Sequence, residues 1–470
     1  MKQKHLPLII AAALSALSAN ALASGYRFGS QSVAAQGSAD ANAAEAADAS
    51  TVFYNPAGLS RLDGLQVIGG ATIVVPHSTY NDTGSTRFTK TSSGGTAVSG
   101  YAPDAVVAPA LYLSKKINDQ WAAGVGLFVP YGAKLDYGSS WTGRYALSKI
   151  ELEAITINPS VSFKLNEHHA FGFGISAEHM SAKLSQAVDV PGSIAALQGR
   201  PESATLVKTI VALGGNPAVL ASAKDGAARN DGKDWGFGFN LGYLYSLDKD
   251  TRFGIAYRSS VAHSLKGDTV WDFSGVTSDQ IVNKVLAASA HRVNSAALVK
   301  LRTPETLSVN GFHQINDKFA AMADVTWTRT SRMQEMHIEF PGTAAGDEVI
   351  RQYWKNTTRV SVGGNYKHNS ALTLRAGVAY DQSPVRSDEL RHPALPDSDR
   401  MQYSIGANYQ FNKNSSVDLA WSYLAFKDAR TAYTNDCNPL LTVCTGNGET
   451  TRGVYQTHLQ LLGIAYNYKF

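Results

Sequence analysis

The stretch Trp235–Leu247 reads Trp-Gly-Phe-Gly-Phe-Asn-Leu-Gly-Tyr-Leu-Tyr-Ser-Leu. Trp235, Phe237, Phe239, Leu241, Tyr243, Tyr245 and Leu247 alternate with Gly236, Gly238, Asn240, Gly242, Leu244 and Ser246. Side chains alternate faces along a strand, so this segment carries one greasy face and one wet or narrow face. A strand of about thirteen residues crosses a bilayer at a tilt. The chain ends on the same rhythm, in Tyr466, Tyr468 and Phe470. The pattern predicts an all-β protein, a transmembrane antiparallel β-barrel.

Outward from that stretch, fourteen strands are expected, an even number as in bacterial barrels. They lie near 65–76, 104–115, 120–131, 152–164, 169–183, 233–247, 251–263, 300–316, 318–331, 355–367, 371–383, 400–411, 416–427 and 456–470. Short polar turns such as Lys116-Ile117-Asn118-Asp119 and Asp248-Lys249-Asp250 alternate with long connections, the longest near 184–232 and 264–299. Short periplasmic turns and long external loops mark an outer-membrane barrel. Phe253, Ile255 and Tyr257 oppose Arg252, Gly254 and Arg258; Phe319, Val325 and Trp327 oppose Lys318, Asp324 and Thr328. The charged set is expected in the lumen, because a lipid-facing charge at the midplane costs a few kcal/mol.

The ends and the composition agree. Lys2 and Lys4, the apolar run Leu6–Leu17 and Ala21-Leu22-Ala23 read as a signal peptide over 1–23, with a mature chain from Ser24. Residues 24–64 are small and Ala-rich without a strand pattern, so they form either a lumen plug or a periplasmic tail; 65–470 is the barrel. Charged residues make up only 17%, and the net charge of +4 is too small to argue for nucleic acid. Cys437 and Cys444 are close together in a polar loop, where export favours a local disulfide; two thiols without further ligands do not suggest a metal. No enzyme motif and no cofactor signature is found, so no enzyme is expected.

Tyr54-Asn55-Pro56-Ala57 ahead of the first strand resembles the FadL-type long-chain fatty-acid transporters of Gram-negative bacteria. So do Trp235–Asn240, Tyr257-Arg258-Ser259, Ala379–Val385, Leu395–Arg400 and Phe411–Asp418, in order along nearly the whole mature chain. The resemblance implies an outer-membrane barrel with an N-terminal hatch, gated around Asn55, Pro56 and Ala57, and passive uptake of hydrophobic molecules without an energy-transducing partner. Pro130 and Gly132 interrupt the third strand. Either the strand ends there or the wall bends open; the resemblance favours a lateral opening. Leu206 and Ile210 in the first long loop and Val285 in the next lie on apolar helical faces, which either pack together or capture substrate, the latter by resemblance. Basic residues are expected to meet a fatty-acid carboxylate inside. The aligned positions hold Gln186 and His337, neither permanently cationic, with Lys183 and Arg332 as substitutes. The resemblance makes fatty acids the first expected substrate; the departure at Gln186 and His337 points to neutral aromatic hydrocarbons by the same route as the alternative, with a general polar porin as another. The expected surroundings are outer-membrane lipid and lipopolysaccharide, with Phe470 resembling the terminal signal read by the barrel-assembly machinery.

Overall fold

A computed structural model describes residues 27–102, 105–441, 443–444 and 448–470. The signal peptide and the start at Ser24 lie outside them. The strands are β1 (Leu65–Asp82), β2 (Val106–Lys116), β3 (Trp121–Asp136), β4 (Lys149–Lys164), β5 (His169–Val188) and β6 (Gly226–Ser246). Then come β7 (Thr251–Arg258, resuming as Ala262–Asp272), β8 (Ser295–Arg302 and Thr306–Gln314), β9 (Phe319–Thr328 and Glu335–Glu339) and β10 (Glu348–Arg351 and Thr357–Lys367). The ring is completed by β11 (Leu372–Asp381), β12 (Arg400–Asn412), β13 (Ser415–Phe426 and Ala429–Thr434) and β14 (Thr450–Lys469). Each pairs antiparallel with its neighbours, and β14 closes on β1 from Gln66↔Lys469 to Asp82↔Gly453. The result is a closed antiparallel barrel of 14 strands. Among the described residues no helix is long and apolar enough to cross a membrane.

The six short turns share one device. Asn118, Asn166, Asp248, Asn316, Asn369 and Asn412 each turn a side-chain oxygen back to accept two backbone N–H groups, two and three residues on. A short polar side chain thereby replaces the backbone partner that a turn lacks. The alternation read from sequence is the lipid face: Phe237 is 70% exposed, and Trp235, Phe239 and Leu241 point the same way. Closure leaves no strand edge in hydrocarbon.

Three expectations are corrected. The strands reach further at the long-loop end: β6 begins at Gly226 rather than near 233, and β14 at Thr450 rather than near 456. Those extensions carry no greasy face, so the alternation that marks a strand in lipid is missing there. Strands β7 to β10 are broken rather than continuous. In β8 the break is Thr303-Pro304-Glu305, where proline has no N–H for the ladder. Lys318 lies exposed in a turn, one residue before β9 begins, and not in the lumen.

Helices α1 (Val33–Gly37) and α2 (Thr51–Tyr54), with the 3-10 turn Pro56–Arg61, fall in the N-terminal segment. The long loops carry α3 (Val190–Leu197), α4 (Pro201–Ala212) and α5 (Gln280–Ser289).

Candidate functional site: a filled lumen and a window in its wall

The N-terminal segment is buried almost throughout, against the inner face near the short-turn end. It fits because the wall thins where it approaches. A Cβ on Gly242 would stand 2.2 Å from Asn55 Oδ1, and one on Gly172 2.2 Å from the Ala57 nitrogen. Gly363 and Gly377 receive Ser38 in the same way, and Gly406 receives Gly37. The narrow face in the opening stretch is in part this cradle. Asn55 caps the 3-10 turn by accepting from the Ala57 N–H at 3.1 Å, and donates across to the Tyr243 carbonyl at 3.1 Å. Pro56 occupies the first position of that turn, where no N–H is needed. Asn55, Pro56 and Ala57 thus form one contact with β5 and β6. Elsewhere Gln36 donates to Leu461 O of β14, Asn240 to Val52 O, and Arg252 to Ala44 O.

Strand β3 does not end at Pro130; it continues to Asp136. Its register against β4 slips between Phe128 and Tyr131, placing two residues, Val129 and Pro130, opposite one. Gly132 is already back in the ladder, opposite Glu153. On its other side β3 pairs with β2 only from Leu111↔Leu127 to Lys116↔Ala122. Above that, among the described residues, the β2–β3 seam has no ladder until the Asp136 N–H donates to Tyr101 O at 2.9 Å. The seam is a window with a closed sill and a closed lintel.

The N-terminal segment supplies partners at the bulge. Gln31 Nε2 donates to Val129 O at 2.7 Å, and the Val129 N–H donates to Gln31 Oε1 at 3.1 Å. The Phe28 N–H donates to Pro130 O at 2.8 Å, and Arg27 bridges to Tyr131. The Phe28 ring is packed among Val74, Ala108, Leu424, Leu459 and Leu461. Sequence reasoning missed Gln31 and Phe28, because their partners lie about a hundred or more residues away or on another strand.

Above the window the interior is apolar and aromatic. Tyr137 stacks on Trp141 with centroids 4.1 Å apart and on Tyr101 at 5.1 Å; Tyr80 and Tyr455 complete the group. The Trp141 Nε1–H donates to Leu147 O at 2.7 Å and the Tyr137 hydroxyl to Pro393 O at 2.8 Å, so these rings enter an apolar space with their polar tips satisfied. Outside, Leu206, Ile210 and Val285 are brought together in one apolar cluster of α4, α5 and their neighbours. Val211 and Leu213 remain exposed beside it.

The four residues proposed to meet a carboxylate do not converge. Lys183 is exposed on β5. Arg332 is clamped by both oxygens of Glu305, each at 2.9 Å. His337 sits between Glu335 and Asp347 in the external hairpin of β9 and β10. Gln186 opens on an external pocket of about 330 Å³, where it donates to Glu348 Oε2 at 3.1 Å. Burial pushes the Glu348 carboxyl up to about 7, with Arg292, 3.5 Å away and over the Trp271 ring, opposing the shift. Cys437 and Cys444 are joined as a disulfide in the loop before β14. Among the described residues no cluster of side chains could hold a metal ion.

Residues 14–470 match the family model described as outer membrane protein transport protein (OMPP1/FadL/TodX). The chain is 36% identical to a putative outer membrane protein of Neisseria meningitidis, over 99% of this chain and 98% of that one. It is 29% identical to the long-chain fatty acid transport protein of Salmonella typhi, over 88% of this chain and 90% of the other. The crystal structure of a Pseudomonas aeruginosa FadL homologue superposes with a TM-score of 0.80 at 25% identity, covering 95% of this chain and all of that one.

Proposed function

The chain belongs to the OMPP1/FadL/TodX family of outer-membrane transport proteins, and from that premise we propose that it takes up long-chain fatty acids by passive, lateral passage through its own wall. That it is an outer-membrane transporter of hydrophobic compounds follows from the family. The route is our reading. The apolar faces of α4 and α5 capture the molecule, the aromatic interior holds it, and movement of the segment around Asn55, Pro56 and Ala57 frees the β2–β3 window. The molecule then leaves into the bilayer. An apolar solute gains nothing from a water-filled pore, since it stays hydrated there.

The observation that carries this reading is the window itself, where the Val129 N–H and C=O and the Pro130 C=O are met by Gln31 and Phe28 of a separate segment. In lipid an unpaired N–H or C=O costs several kcal/mol, so a seam without a ladder needs a replaceable partner. The segment filling the lumen also speaks against a general porin. Phe470, exposed at the end of β14, is proposed as the assembly signal.

A second reading has its own support. With Gln186 and His337 each facing an acid, neither of those positions offers a carboxylate a free cation, and the Tyr101–Tyr137–Trp141 stack suits a flat neutral ring. Uptake by cells expressing the protein, compared between oleate and toluene, separates the two. Deletion of residues 24–28 that leaves uptake of both unchanged would sink the hatch-and-window route.

A further inference from the structure

A permanent cation without a counter-charge does stand inside the barrel, away from the positions expected for it. Arg258 ends the lower half of β7 with its guanidinium turned into the lumen. Both Nη1 and Nη2 donate to Asn158 Oδ1 at 3.3 Å, Nη1 to Ser176 Oγ at 3.1 Å and Nη2 to Phe53 O at 3.1 Å. The rings of Phe53 and Phe128 lie 4.9 and 5.3 Å from it. All these acceptors are neutral, and among the described residues no carboxylate comes within 4 Å.

Three other interior arginines differ, while Arg252, like Arg258, donates only to carbonyls, those of Ala44, Lys249 and Glu45, but lines a different pocket. Arg359 pairs with Asp40, Arg375 with Asp418 and Arg400 with Asp381. The acids near Arg258 are already engaged. Glu178 accepts from Thr156 at 2.9 Å and faces His263 at 3.0 Å; Asp324 accepts from Ser308 and Thr326, both at 2.6 Å. A charge removed from water and met only by dipoles is under-compensated, and an anion gains by joining it.

There is room for one. Arg258, Arg27, Phe53, Tyr54, Pro130 and Tyr131 line an internal cavity of about 60 Å³, which is also lined by Asp324 and by Asp40, the latter paired with Arg359. That is enough for several water molecules, and so for a carboxylate in their place. Pro130 and Tyr131 are also the bulge that borders the window. Among the described residues Arg27 has no ion pair within 4 Å, and its backbone bridges to Tyr131. A guanidinium suits a carboxylate because its N–H groups match both oxygens.

We infer that this cavity is a headgroup station, where Arg258 together with Arg27 receives the carboxylate of a long-chain monocarboxylate about to leave through the β2–β3 window. The alkyl chain leads from there past Phe53 and Pro130, which line the same cavity. The inference rests on the uptake reading above and deepens it. It places recognition of the charge at the exit rather than at the external pocket, where Glu348 would repel it.

The test compares oleate with oleyl alcohol, which has the same chain without the charge, in cells lacking their own fatty-acid uptake and expressing the full chain. Arg258→Gln should lower oleate uptake at least tenfold and leave oleyl alcohol within twofold; Arg258→Lys should restore much of the oleate rate. Arg27→Gln, which alters only the N-terminal segment and leaves the wall intact, should lower oleate uptake about threefold with the same selectivity. An equal fall for both compounds would make Arg258 a latch for Phe53 and overturn the inference, as would undiminished oleate uptake in both glutamine variants. If Arg258→Gln does not reach the membrane as a folded barrel, Arg27→Gln alone decides. Failure of the unaltered protein to carry either compound would instead sink the uptake reading.

Discussion

Strands β5 and β6 pair without a break from His169↔Tyr245 to Val188↔Gly226. Strands β2 and β3 pair over the lower part of their length and then stop. Both seams face the same bilayer, and the same rule applies to both: every backbone donor and acceptor in hydrocarbon needs a partner. The first seam meets that rule from within the wall. The second meets it, at Val129 and Pro130, with Gln31 and Phe28, which belong to a piece of chain that only touches the wall. The difference teaches that an opening in a membrane barrel need not leave groups unsatisfied. It needs partners that can be withdrawn.

The largest effect should come from making the two seams alike. Deleting Val129 and replacing Pro130 with valine removes the extra residue opposite β4 and restores a donor. Uptake of every hydrophobic substrate should fall at least tenfold while the barrel keeps its heat-modifiable mobility on gels. Unchanged uptake would mean that the window is not the exit.

Next in size is an assault on the cradle. Gly172→Val puts a side chain where Ala57 lies, at a cost of about 1–3 kcal/mol for overpacking. Bilayer recordings should then show ion conductance that the unaltered protein lacks. Gln31→Ala leaves the Val129 N–H and C=O without their partner, worth about 1–2 kcal/mol. It should expose the N-terminal segment to protease while β5–β6 is untouched.

The external pocket gives a smaller, pH-dependent effect. The Glu348 carboxyl titrates at about 7 in the folded protein, above its ordinary 4.5. The folded state therefore holds its proton more tightly. Its stabilising contribution is full below about 4.5 and is lost as pH rises to about 7. Unfolding free energies measured from pH 5 to 8 should decline less in Glu348→Gln, by of order 1 kcal/mol across the range. The smallest effect is expected at Gly311, where an added Cβ meets nothing closer than 3.6 Å. Gly311→Ala should change stability by less than about 0.5 kcal/mol, against the large penalty at Gly172.

The wall was readable because lipid imposes a period of two on it: Trp235 to Leu247 declares its outer face residue by residue. The turns were readable for the same local reason, an asparagine or aspartate two or three residues before the strand resumes. Pro130 announced an interruption, since it removes a donor. What it could not announce is that the strand continues to Asp136, or that Gln31 fills the gap. Side-chain bonds of that kind depend on how remote elements are registered. Alternation left the direction of Arg332 and His337 open for a related reason. Both follow the break after Thr328 in β9, and a break resets which face a side chain takes. Arg258 sat in plain view within the opening pattern as a lumen residue, but its want of a counter-charge is a property of its neighbours.

The glycine cradle has one more consequence. The N-terminal segment is tied to β14 through Gln36 and, across the lumen, to β5 and β6 through Asn55 and Ala57. The ring is sealed by the first and last strands, from Gln66↔Lys469 to Asp82↔Gly453. Contacts this close cost least to make while the ring is still open. The order of assembly expected from them is that the residues synthesised first nest before the strand synthesised last zips shut, with the barrel moulded around its stopper.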